Sequence, residues 1–164
     1  MFLPDSLICP CCGGEKIEKR ETKKGLYHCL DCRTDFGNAK GEIYSPSMKY
    51  FSLNIKDVNK TETQVEIKNC DNTFSFIYER DGMLREGIIG KEEFSSFEKQ
   101  LFNDLYIDKW KRNCVSYHSV VGIAWDLKIS FVKKHSIFIH GFNCTPPLWL
   151  GLMKAIDTLV ERKK

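Results

Sequence analysis

Two Cys-x-x-Cys pairs near the N-terminus, Cys9/Cys12 and Cys29/Cys32, constrain this chain more than any other feature. Sixteen residues separate the pairs, a spacing that matches a four-thiolate zinc site. Each pair offers two sulfurs from one tight turn, so two turns complete a tetrahedron around a single Zn²⁺. Four thiolates also close the coordination sphere. A catalytic zinc keeps one position for water or substrate, so this pattern predicts a structural ion and no catalytic residue. The competing use of Cys-x-x-Cys, thiol–disulfide chemistry, expects a neighbouring βαβ pattern, and none is visible. Cys11 lies inside the first pair and His28 adjoins Cys29 outside the two-residue spacing. Whether either can replace a ligand is left open by spacing alone.

Length and composition bound the rest. The 164 residues hold 42% hydrophobic and 29% charged side chains, as soluble domains do. No segment approaches the roughly 18 apolar residues of a membrane-spanning helix, so no membrane partner is expected. The start, MFLPDSLICP, lacks the basic and apolar regions of a secretory signal, and a cytoplasmic location is expected. In that compartment Cys-x-x-Cys pairs are metal ligands or redox groups rather than disulfides. The formal charge is +3 with thiols neutral. Four thiolates and one divalent ion together subtract two, which leaves a nearly balanced chain without the concentrated basic field of a nucleic-acid module.

Between the pairs, Lys16–Glu21 alternates, Thr22-Lys23-Lys24-Gly25 reads as a turn, and Leu26–Leu30 and Arg33–Phe36 read as short strands. Two cysteine knuckles with two or three short strands resemble a zinc ribbon, and the resemblance covers residues 8–37. Its first knuckle typically reads C-P-x-C-G, as Cys9-Pro10-Cys11-Cys12-Gly13 does. Glycine there permits a positive φ that aims backbone N–H groups at sulfur. The second knuckle ends in Arg33, where glycine is common. So few apolar residues lie here that the metal must supply the folding energy, on the order of 10–16 kcal/mol.

Gly37–Ser47 has a turn-forming composition and predicts a boundary, giving a ribbon over 1–40 and a second domain over 41–164. Lys49–Lys56, Thr63–Asn69, Thr73–Glu79 and Met83–Ile89 have the two-residue period of strands. Over Lys91–Tyr106 the period changes, and Phe94, Phe97, Leu101 and Leu105 form one helical stripe. Trp125–Val132 and Ser136–Phe142 predict a hairpin of undetermined register, so the face of His140 is open. Thr145 as cap and Pro146 as first residue predict the start of a final helix, striped by Leu148, Trp149, Leu152, Met153, Ile156, Leu159 and Val160. The expected fold class is α+β: the small β ribbon followed by an antiparallel sheet with two helices on one face. Residues 90–162 also resemble a small bacterial domain recurring in uncharacterised proteins. That resemblance rests on Ile107-x-x-Trp110-Lys111, Trp125-x-Leu127-x-Ile129 and Gly141-x-Asn143-x-x-Pro146-x-x-Trp149, and it implies a fold without a reaction. Asn143 is expected to bond backbone groups ahead of the helix.

One nucleophile deserves weighing: Cys144, with His140 or His135 and Asp126, just before a helix N-terminus that would favour a thiolate. The plainer reading is a small buried cysteine, and Cys70 and Cys114 read as core filler. No phosphate-cradling glycine loop, paired-carboxylate motif or H-E-x-x-H occurs. The expected function is therefore a non-enzymatic adaptor, with a structural zinc and a protein partner. Nucleic-acid binding through Lys16, Lys19, Arg20, Lys23, Lys24 and Arg33 is the alternative, weakened by interleaved Glu15, Glu18 and Glu21. A thiol-dependent enzyme using Cys144 comes third.

Overall fold

The computed structural model describes residues 7–21, 26–37, 47–57, 59, 61–117 and 122–161. Strands β1 (Ile17–Lys19), β2 (Leu26–Cys29) and β3 (Asp35–Gly37) form an antiparallel sheet in sequence order. Among the described residues its buried interior is Cys9, Cys29 and Phe36, with Ile17, Tyr27 and Tyr106 packed around them. The segment 38–46, most of the expected boundary, lies outside the described residues.

Strands β4 (Met48–Lys56), β5 (Glu62–Cys70), β6 (Thr73–Arg80) and β7 (Met83–Ile89) form an antiparallel meander. Their bounds follow the two-residue period to within a residue or two. The turns explain the clean registers. Asp71 and Asn72 both have positive φ, as do Asp81 and Gly82. Paired positive φ values make two-residue turns whose twist suits a hairpin. Strands β8 (Asn113–Val115), β9 (Ala124–Phe131) and β10 (Ile137–Phe142) complete a seven-stranded sheet in the order β7-β6-β5-β4-β9-β10-β8. Here the expected architecture needs a correction. β8 runs parallel to β10, so the sheet is mixed rather than wholly antiparallel.

Alternation along each strand sends Phe51, Leu53, Val65, Ile67, Phe76, Trp125, Leu127, Ile129 and Ile139 into one core. Helices α1 (Lys91–Lys99) and α2 (Trp149–Glu161) cover that face. Phe94 of α1 stacks on Phe74 at 4.1 Å between ring centres, and Phe97 meets Phe51 edge-on at 5.5 Å. Leu152, Ala155, Ile156, Leu159 and Val160 of α2 enter the same core. The fold is α+β, with both helices on one side.

Two helix boundaries differ from expectation. The stripe Phe94, Phe97, Leu101 and Leu105 is buried as predicted, but the α-helix ends at Lys99 and continues as a wider π turn over Gln100–Asp104. Tyr106, at φ 48°, then ends it. α2 begins at Trp149, three residues after Pro146. A second proline is the reason: Pro147 pushes Pro146 away from the helical region, as Pro146 does Thr145.

The two ends of the sheet are unequal. β8 has three residues. β7 has seven, with Met83, Leu84 and Ile88 exposed, and pairs only with β6 among the described residues. No helix among the described residues is long and apolar enough to cross a membrane.

Candidate metal centre

The two cysteine knuckles are built alike. Gly13 N–H donates to the Cys9 carbonyl, and Arg33 N–H donates to the Cys29 carbonyl, both at 2.8 Å. Each turn closes on a residue with positive φ, 75° at Gly13 and 61° at Arg33. Arg33 thus takes the left-handed conformation that glycine adopts freely, at the cost its Cβ imposes. The turns aim Cys9, Cys12, Cys29 and Cys32 at one point, with all four sulfurs within 4.8 Å of one another. Cys9 and Cys32 are 3.6 Å apart at sulfur, as are Cys12 and Cys29. Zn–S bonds of about 2.3 Å in a tetrahedron imply S···S separations of about 3.8 Å, so the cage has the size for such an ion.

Its hydrogen bonds suit anionic sulfur. Gly14 N–H donates to Cys12 Sγ at 3.3 Å. Thr34 Oγ1 lies 3.2 Å from Cys32 Sγ, placed to donate to a thiolate. Burial pushes the Cys9 thiol up to about 12, against the lowering pull of the Cys12 and Cys11 N–H groups. Burial also raises Cys12. At Cys32 burial acts upward too, but the Thr34 hydroxyl and N–H and the neighbouring sulfurs outweigh it and bring the thiol down to about 6. Four sulfurs this close, those of Cys9 and Cys29 buried, cannot all ionise unless a cation balances them, and a bound divalent ion displaces their protons. These four cysteines are arranged to hold a metal ion, in a form compatible with a zinc ribbon.

Other residues are occupied elsewhere. His28 Nδ1 is 2.7 Å from Asp35 Oδ1, and Arg20 donates to the same carboxylate at 3.1 Å. These contacts, His28 first, hold Asp35 below the usual carboxylate range. Lys16 lies 3.8 Å from Asp31. Lys23 and Lys24 fall outside the described residues. The N-terminal sheet meets the larger unit at Phe36, whose ring lies edge-on to Tyr106 at 5.6 Å. A Cβ on Gly13 would come within 3.3 Å of Pro147 Cγ.

The cysteine nucleophile does not assemble. Cys144 is joined to Cys114 in a disulfide, which corrects the expectation that Cys114 is filler and Cys144 a free thiol. No local pattern announces a pair thirty positions apart. His140 and Asp126 do come together, Nδ1 to Oδ1 at 2.6 Å, on the exposed face of the sheet. The hairpin register, Ile137 opposite Ile129 and Gly141 opposite Trp125, sets that face. His135 lies beyond the far end of β10 from Cys144, and the six residues of that strand span about 20 Å at strand rise.

The motif over Trp125 to Trp149 is structural. Trp125 lies over Gly141, where any Cβ would fall inside the indole. Its Nε1–H donates to the Cys144 carbonyl at 2.8 Å, and Trp149 packs on it at 4.7 Å. Asn143, at φ 52°, exchanges two bonds with Ile123: its N–H donates to the Ile123 carbonyl and its Oδ1 accepts the Ile123 N–H. It fastens the end of β10 to the start of β9.

Fold and site together define a class: an α+β protein whose N-terminal β unit carries a four-cysteine metal cage. Compared with known proteins, the chain matches no family, no curated protein and no solved structure.

Proposed function

We propose that the chain is a cytoplasmic, non-enzymatic adaptor, with one structural zinc ion in its ribbon and a protein partner for its α+β unit. The observation that carries this reading is the closed set of four sulfurs, Cys9, Cys12, Cys29 and Cys32, at distances that fill a tetrahedron. A filled tetrahedron stabilises a fold and leaves no coordination position for a reactant. The protein partner is supported by exposed apolar side chains on and beside strands: Met83, Leu84 and Ile88 on β7, and Phe138 and Phe142 on β10.

Nucleic-acid binding through the ribbon stands behind this reading. Arg20 is bonded to Asp35 and Lys16 faces Asp31, so part of the positive charge is already balanced. The test uses the full purified chain. Native mass spectrometry should find one zinc per chain; protein without zinc would overturn the structural role. A partner recovered with the wild type and lost with a Leu84→Glu/Ile88→Glu double variant would support the adaptor reading. Salt-dependent binding to mixed-sequence DNA or RNA, with no protein partner, would replace it with the alternative.

A further inference from the structure

The cage takes four cysteines, and Cys11 and Cys70 are free. Cys114 and Cys144 remain, bonded to each other with Cα atoms 5.4 Å apart, a separation that a disulfide spans without backbone movement. Both are only partly buried. Their position is what matters. Cys114 is the middle residue of β8, opposite Gly141 of β10. Cys144 lies in the connection from β10 to α2, held through its carbonyl by the Trp125 indole. Apart from the disulfide, β8 is held at its ends by Ser116 N–H on the Phe142 carbonyl at 3.0 Å and by His140 N–H on the Arg112 carbonyl at 2.9 Å. Between those ends it pairs with β10 over only three residues, a short parallel ladder with little cooperativity, so the sulfur bridge adds a covalent tether to a weakly held strand.

We propose that Cys114 and Cys144 form a thiol–disulfide exchange site that locks β8 onto the sheet when closed and releases it when open. The co-reactant is a small disulfide of the glutathione type. In closing, the thiolate of one cysteine attacks a sulfur of glutathione disulfide, forming a mixed disulfide and expelling one glutathione thiolate. The second cysteine, also as thiolate, attacks the protein sulfur of that mixed disulfide. The protein S–S bond forms, and the second glutathione leaves. Two protein thiols are oxidised, one glutathione disulfide is reduced to two thiols, and the two cysteine protons pass to the leaving thiolates. Opening is the reverse. Release of β8 would leave the six-residue β10 as the sheet edge, flanked by the exposed rings of Phe138 and Phe142. Redox state thereby decides whether this end of the sheet presents a blunt strand or a pairing surface.

The test equilibrates the full zinc-loaded chain with mixtures of reduced and oxidised glutathione, traps free thiols, and reads both the bridge and amide exchange by mass spectrometry and NMR. The bridge should interconvert across those mixtures. On reduction the Ser116 and His140 amides should exchange roughly tenfold faster or more, with the Leu53 and Val65 amides unchanged. Cys114→Ser and, separately, Cys144→Ser should exchange at the reduced rate in every mixture. A bridge that persists in excess reduced glutathione, one that never forms, or equal Ser116 and His140 rates in both states would each overturn the proposal. Zinc content is read on the same samples, so failure of the cage is distinguishable from failure of the switch.

Discussion

Replacing Gly141 by alanine probes the tightest contact in the larger unit. The added Cβ would lie inside the Trp125 indole, so ring or strand must move. Overpacking of this kind costs about 1–3 kcal/mol. Displacing the ring also stretches its 2.8 Å bond to the Cys144 carbonyl, a further loss of about 1 kcal/mol. Alanine recovers up to about 1 kcal/mol of unfolded-state entropy, so the net destabilisation should be about 1–3 kcal/mol. For a chain of this size that lowers the melting temperature by roughly 2–12 °C. Urea unfolding followed by tryptophan fluorescence measures it, and the Trp125 indole N–H resonance reports whether the bond survives. A double-mutant cycle isolates the cause. In a Trp125→Phe background the smaller ring leaves room, and Gly141→Ala should then cost less than about 1 kcal/mol, a coupling of about 1–2 kcal/mol. An equal cost in both backgrounds, or a Gly141→Ala variant within about 0.5 kcal/mol of wild type, would refute the reasoning.

Three further outcomes are expected. Cys29→Ser removes one thiolate; it should abolish stoichiometric zinc binding and collapse the NMR signals of residues 26–37, while those of β4–β6 persist. Arg33→Gly relieves a positive φ and should tighten zinc binding by roughly two- to fivefold in a competition titration, corresponding to about 0.5–1 kcal/mol. Burial raises the carboxyl pKa of Asp108 above its ordinary value of 3.8. The folded protein therefore holds that proton longer than the unfolded chain, and stability falls as pH rises from the ordinary value through the folded one. Asp108→Asn should gain stability relative to wild type across that window and keep the gain at neutral pH, as read by urea unfolding at several pH values.

Much of this was legible in the residues. Period-two patterning and Asp-Gly or Asp-Asn turns write the β4–β7 meander into local sequence, and the cage is written in cysteine spacing. The stripe from Phe94 to Leu105 marked the buried side of α1, but the shift to a wider turn at Gln100 has no signature in residue type or spacing. The late start of α2 was present in Pro146-Pro147 and would have followed from the second proline. β8 was not readable: three residues carry no periodicity, and a parallel partner lies far along the chain. The same holds for Cys114 and Cys144, which meet only once β8 is laid beside β10. The face of His140 depended on the length of the loop after Phe131, which residue types alone leave undetermined.

The inequality of the sheet's two ends sets a limit on growth. Edge-to-edge stacking into a fibre needs a usable rim on each side, so that every added unit offers a fresh one. Here β8 is too short to template another strand, and β7 is the long rim among the described residues. Whatever strand joins at β7 consumes it. With β8 in place, recruitment by main-chain pairing stops after one event, a single docking rather than a polymer.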